Sequence, residues 1–157
     1  MTERSTTHAT FTIERSFDAP IARVFDAWAD AKAKSRWFAG ATDASEREAM
    51  EVDFRVGGVE RSVGTLLDGG PVYTYEGVFQ DIVRNERIVL THHISRDGER
   101  ISVNLVSIQF APDGDGTRLT VTDQGTYLDG LDQAHWREAG TRSQLDVLQR
   151  DLSQQNG

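Results

Sequence analysis

By type and position, four side chains in this chain can do chemistry: Arg15, His92, Asn104 and Asp123, each set among apolar residues at the alternate spacing of a strand. Leu119, Val121 and Asp123 share one phase, as do Ile88, Leu90, His92 and Ile94; Asn104 goes with Val106, Ile108 and Phe110, and Arg15 with Phe11, Ile13 and Phe17. If the apolar members face inward, the polar ones do too. A carboxylate, an imidazole and an amide inside an apolar cavity orient the polar group of a ligand. They can equally satisfy one another. A third use is proton transfer, with Asp123 or His92 as general acid or base and the carboxyl pKa raised by burial.

Other chemistries lack their residues. Adjacent His92 and His93 would point to opposite faces of a strand, and no His-x-x-x-His or Glu-x-x-His spacing occurs, so no metal is expected. The absence of cysteine removes thiolate catalysis, zinc-cysteine sites and disulfides. No nucleophile elbow, phosphate loop or dinucleotide fingerprint is present, and Gly57-Gly58 and the Asp-Gly pairs read as hairpin turns. No cofactor is expected.

The elements that must position these residues are legible in outline. Alternation predicts a strand over Ala9–Phe17. Pro20 then suits the start of a helix, which Asp18 would cap or favour, and Ile21, Val24, Phe25 and Trp28 recur at helical spacing as core. Asp30 is placed to cap a short second helix ending at Trp37, followed by a loop over Ala39–Asp43. Further strands read at Met50–Val56, Val59–Leu66, Val72–Val83, Arg87–Ile94, Arg100–Phe110 and Thr117–Tyr127, separated by Gly57-Gly58, Asp68-Gly69-Gly70-Pro71, Arg84-Asn85-Glu86, Asp97-Gly98 and Asp113–Gly116. A final helix runs from about Asp132 to Ser153 with Ala134, Thr141, Leu145, Leu148 and Leu152 on one side. Its stripe is thin at the start, where Trp136 falls nearly opposite, in an irregular first turn or partly exposed. Gly140, inside this helix, reads either as a close approach by a strand or ligand or as an ordinary packing glycine. Seven strands, a helix pair and a closing helix make an antiparallel α+β architecture.

The pattern Phe17-x-Ala19-Pro20-x-x-x-Val24-Phe25-x-Ala27-Trp28-x-Asp30, then Trp37 and Glu51-Val52-Asp53-Phe54-Arg55-Val56-Gly57-Gly58, resembles the activator of heat-shock-protein ATPase homologue-like family. Glu86-Arg87-Ile88-Val89-Leu90-Thr91 and Gly116-Thr117-Arg118-Leu119-Thr120-Val121-Thr122 are similar to two further blocks of that family. It belongs to the START-like (SRPBCC) superfamily. The resemblance implies a helix-grip fold: a curved antiparallel sheet of about seven strands wrapped around a long C-terminal helix, with two short helices after the first strand. It also implies one domain over residues 9–153, between flexible termini 1–8 and 154–157. First and last strands are neighbours in such folds, so Arg15 and Asp123 are expected either to form a buried pair or to face solvent at strand ends. The chain departs from the family in having Asp123 where histidine or glutamate is frequent, and Gly140-Thr141 where many members have Gly-Trp.

Composition bounds the function. A chain of 157 residues buries about 70% of its unfolded surface, enough for one core. A net charge of −8, with no basic cluster among 17 Lys and Arg, argues against nucleic acid. No apolar run approaches the roughly 20 residues of a membrane span, and the N-terminus lacks the apolar core of a signal peptide, so a cytoplasmic location is expected. Three functions fit. The leading one is binding of an apolar or amphipathic small molecule between the last helix and the sheet. Its expected wall is Trp37, Phe38, Met50, Phe54, Tyr75, His92, Asn104, Asp123 and Leu145, with Trp37 and Phe38 at the mouth. The resemblance also admits a protein-interaction module of co-chaperone type, and an enzyme of cyclase, dehydratase or hydrolase type using the same cavity. A homodimer is expected.

Overall fold

A computed structural model describes residues 3–38, 50–65 and 69–154. The loop expected at Ala39–Asp43, Asp68 in the turn before the fourth strand, and chain end 155–157 lie outside these. The elements are β1 (Thr6–Phe17), α1 (Ile21–Ala29), α2 (Ala31–Trp37), β2 (Glu51–Val52), β3 (Val59–Thr65), β4 (Val72–Val83), β5 (Arg87–Arg96), β6 (Glu99–Asp113), β7 (Gly116–Leu128) and α3 (Ala134–Gln154). The strands form one antiparallel sheet in the order β1-β7-β6-β5-β4-β3-β2. This is the seven-stranded helix-grip architecture.

Several element ends differ from the expectation, two of them for a clear physical reason. β1 begins at Thr6, within the segment expected to be flexible, because Thr6–His8 continue the ladder opposite Leu128–Thr126. The Asp129 carboxylate then accepts the Ser5 N–H at 2.9 Å and an Arg4 N–H at 2.9 Å. The strand expected over Met50–Val56 shrinks to Glu51–Val52. There the chain leaves the ladder for a turn in which Arg55 N–H donates to the Asp53 carbonyl and Gly57, at φ +84°, donates to the Phe79 carbonyl. That φ suits glycine, which lacks the Cβ that penalises the left-handed region.

Helix starts follow local chemistry. Pro20 is the N-cap of α1, and its ring has no group that could cap the helix itself. Asp30 caps α2, its carboxylate accepting the Ala33 N–H at 2.9 Å, as its residue type predicts.

α1 buries Val24, Phe25, Ala27 and Trp28 against the sheet. Phe25 meets Phe54 and Phe110 with ring centroids 5.7 and 5.2 Å apart. α3 buries Leu145, Leu148 and Leu152, all from its second half. Arg23 of α1 donates to the Leu152 carbonyl in the last turn of α3 at 2.8 Å, which ties the two helices together. The aliphatic core therefore lies under the second half of α3, and the first half stands over the part of the sheet that carries the polar residues.

Leu148 is fully buried. Leu148→Ala is expected to cost about 2–5 kcal/mol, the range for a leucine truncated in a core that cannot collapse. Urea unfolding checks this, as a lowered midpoint with an unchanged slope.

Candidate functional site

A cavity of about 810 Å³ opens between the first half of α3 and the sheet face that this helix covers. Leu90, Ile94, Val106, Ile108 and Val121 form its apolar floor, and Trp28 and Phe38 close the side toward α1 and α2. Asp132, Trp136, Arg137, Gly140 and Thr141 supply the helix side.

Across the floor runs a belt of polar side chains set by strand register. His92 lies directly opposite Asn104 on β6, and Asn104 donates to Asp123 Oδ1 on β7 at 2.6 Å. On the other side the His92 ring packs against Tyr75 of β4, centroids 4.9 Å apart. Tyr75 donates its hydroxyl hydrogen to Glu60 of β3 at 2.8 Å. Glu60 takes both short contacts of the Lys34 ammonium, 2.6 and 2.7 Å, from α2. Lys34 is buried as deeply as Glu60, and its ammonium lies 4.7 Å from the centroid of the Phe38 ring and 5.3 Å from that of Trp28. Two charges in so dry a place persist because each is paired and hydrogen-bonded. Gly125 makes room for the β7 end of the belt: a Cβ there would stand 2.6 Å from the Asn104 amide nitrogen and 2.7 Å from the Tyr127 hydroxyl.

Burial sets the protonation states. It pushes the His92 imidazole well below the ordinary 6.5, helped by the charges of Arg137, Lys34 and His93, so His92 is neutral. The Asp123 carboxyl is raised from 3.8 by burial, against the Asn104 hydrogen bond and the charge of Arg137. The Tyr75 hydroxyl is pushed well above 10.0 by burial and by the neighbouring Glu60 carboxylate. Chemically, the wall offers a neutral imidazole and a carboxyl whose proton is held more tightly than usual. Such a pair can bind a polar group or exchange a proton with it.

Of the residues expected on the wall, Phe38, Tyr75, His92 and Asp123 line the cavity. Asn104 is buried beside Asp123. Of the other four, Trp37, Met50 and Leu145 are buried in the interior and Phe54 is partly buried against the core. Trp37 is sealed between Trp28 and Phe38, with its N–H on the Ala27 carbonyl at 3.0 Å, so it does not stand at a mouth. Met50 is buried, its N–H on the Ser35 hydroxyl at 3.1 Å. Phe54 packs between Phe25 and Phe79, and Leu145 belongs to the core under α3. Of the two alternatives for Arg15 and Asp123, the buried pair does not form. Register puts Arg15 opposite Leu119 and Asp123 opposite Phe11, and Arg15 bonds Asp146 of α3 at 2.5 Å instead. No strand approaches Gly140, since nothing lies within 4 Å of where its Cβ would be, and the residue lines the cavity. Trp136 is exposed on the cavity rim, the second of the two alternatives open for it.

Sequence reasoning missed Lys34, Glu60 and Arg137. Lys34 and Arg137 look like solvated helix charges. Glu60 shares its inward phase with Ser62 and Gly64, so β3 shows no apolar face there, while Val59 on the other phase is exposed. Arg137 donates to the Ser102 hydroxyl at 2.9 Å and to the buried Asp132 carboxylate at 3.2 Å. The signal for Trp28 was present, but it read as core alone. Among the described residues no group of His, Cys, Asp and Glu could hold a metal ion, and no helix is long and apolar enough to cross a membrane.

A family model described as Activator of Hsp90 ATPase homolog 1-like protein matches residues 18–152. No curated protein matches the chain. A solved structure from Rhizobium leguminosarum superposes with a TM-score of 0.89 at 39% identity, over 98% of this chain and 99% of that one. One from Rhizobium loti gives 0.83 at 41% identity, over 94% and 99%. An AHSA1-like protein from Aeromonas hydrophila gives 0.71 at 23% identity, over 94% of each chain, and is similar in fold.

Two outcomes follow from the belt. Lys34→Ala leaves the Glu60 carboxylate buried without its cation and is expected to cost about 3–5 kcal/mol; Lys34→Met with Glu60→Leu recovers much of that, because neither charge then has to be desolvated. Urea unfolding of the single and double variants checks the order. The second outcome concerns pH. The folded state depresses the pKa of His92, so its contribution to stability is complete above 6.5 and is lost as the unfolded chain takes up its proton on acidification. His92→Phe is therefore expected to lose less stability than the parent between about pH 7.5 and pH 5.5. Asp123 acts in the opposite sense, its contribution present in acid and lost as pH rises through the folded value.

Proposed function

From a chain that belongs to the Activator of Hsp90 ATPase homolog 1-like family of helix-grip folds, we propose a small-molecule binding protein whose ligand lies between α3 and the sheet. The observation that carries this reading is the cavity itself. Its 810 Å³ is within the size of pockets that hold drug-sized molecules, and an apolar floor crossed by a few fixed polar groups is their usual chemistry. Phe38, Tyr75, His92 and Asp123 are the proposed contacts. The belt, hydrogen-bonded between Asn104 and Asp123 and from Tyr75 through Glu60 to Lys34, with His92 packed between, holds the wall in place before a ligand arrives, which lowers the ordering cost of binding. The ligand is amphipathic: its apolar body covers Leu90, Val106 and Val121, and its polar end reaches the belt.

A second reading, an interaction module of co-chaperone type, draws on the outer sheet face. Register aligns Val59, Val78, Thr91 and Leu105 in one row across β3 to β6, and Val59, Val78 and Leu105 are exposed. Such a row suits a protein partner, a second copy of the chain included.

The two readings separate by experiment. The cavity reading expects the neutral fluorophore phenylnaphthylamine to bind with one-site saturation and to change tryptophan emission through Trp28. Thr141→Trp, which fills the cavity from the half-buried helix side, is expected to weaken that binding by about tenfold or more while circular dichroism stays the same. Binding that ignores Thr141→Trp places the fluorophore elsewhere and removes the cavity reading.

A further inference from the structure

Five charged residues line the cavity: Lys34, Arg96, Asp123, Asp132 and Arg137. Four are accounted for. Lys34 is matched by Glu60 at 2.6 Å, Arg137 and Asp132 match each other at 3.2 Å, and Arg96 stands on the exposed rim in water. Asp123 is different. It is buried, it makes no ion pair among the described residues, and its one partner is the neutral Asn104 amide on Oδ1. Its Oδ2 accepts no hydrogen bond from the described residues, yet it is not among the polar atoms walled in without a partner. That oxygen faces the cavity.

We propose that the cavity selects amphipathic amines, the ligand's ammonium group donating to Asp123 Oδ2 while its apolar body lies on the floor. The proposal rests on the cavity being a ligand site. A carboxylate held in a dry wall by a single neutral donor lacks the counter-charge that buried charges need, and an ammonium supplies it. Asp123 is faced by Arg137 of α3, whose charge Asp132 offsets, by Asn104 of β6 and by Tyr127 of its own strand. His92, on β5 beyond Asn104, is neutral and does not repel a cation. The aromatic side chains of Phe38 and Tyr75 present ring faces that tolerate cations, as the Lys34 ammonium over Phe38 already demonstrates. The net charge of −8 favours approach of a cation over an anion. A carboxylic acid would meet cations already engaged, Lys34 with Glu60 and Arg137 with Asp132 and Ser102, or Arg96 on the exposed rim, where water screens the attraction.

Three naphthalene compounds of matched size test this on the full chain at neutral pH: naphthylmethylamine, naphthylmethanol and naphthoic acid, each displacing phenylnaphthylamine. The amine is expected to displace it at about tenfold lower concentration than the alcohol, with the acid weakest. In Asp123→Asn the amine and the alcohol are expected to act at the same concentration, each referenced to the fluorophore's own affinity for that variant. An alcohol or acid that competes as well as the amine overturns the proposal, and so does an amine preference that survives Asp123→Asn. Should that variant fail to fold, the same comparison between naphthylmethylamine and its neutral N-acetyl derivative on the parent chain decides, with equal competition overturning the proposal. Fluorophore binding without amine preference removes this proposal alone; absence of any fluorophore binding removes the cavity reading and this proposal with it.

Discussion

The fold turns on the shortness of the apolar stripe of α3. A helix of 21 residues reaches across the sheet, but its buried side chains are Leu145, Leu148 and Leu152, all in its second half. Only that half can dock on Ile13, Leu119 and the other aliphatic residues of the core. The first half carries Trp136, Arg137, Gly140 and Thr141, which have no apolar face to press onto the strands. The helix is thus held at one end and stands off at the other, and the space beneath its start is the cavity. Filling that space would take large apolar residues at the positions of Gly140 and Thr141.

The standing-off end needs another source of rigidity, and the polar belt supplies it. Asp123, Asn104, His92, Tyr75, Glu60 and Lys34 follow one another across β7, β6, β5, β4, β3 and α2. An ionic pair buried this deeply returns little net stability after desolvation. What it contributes is geometry. It fixes α2 against β3, and with it the positions of Phe38 and Trp28 on the cavity side. The belt also pairs the buried Lys34, and with Asp132 matched by Arg137 outside the belt, Asp123 is the buried lining charge without an ion pair among the described residues.

Much of the fold was legible because its signals are local. Alternation in β1, β5, β6 and β7, the helical spacing of Ile21, Val24, Phe25 and Trp28, and the Asp-Gly turns each depend on residues close in sequence. Gly98 and Gly114 sit at the positive φ that such turns require. Where a boundary moved, a long-range partner moved it. Thr6–His8 join the ladder only because β7 reaches Leu128, and the β2 segment stops at Val52 because Gly57 turns to meet Phe79. The site was legible in part for the same reason. His92, Asn104 and Asp123 showed themselves by breaking an apolar phase, whereas Glu60 broke nothing, since its phase in β3 has no apolar members.

The sequence by itself determined the order of elements, the inward phase of β5, β6 and β7, and hence that an imidazole, an amide and a carboxylate point to the same side of the sheet. Periodicity encodes facing, and facing is a local property. It does not encode which inward residues touch. The tertiary structure alone decided that Arg15 goes to Asp146 and not to Asp123, that Lys34 crosses from a helix to Glu60, and that Trp37 and Leu145 are sealed in the core while Trp28 reaches the cavity. Those outcomes depend on strand register and on where a helix lifts off a sheet, and both are settled by contacts between residues far apart in the chain.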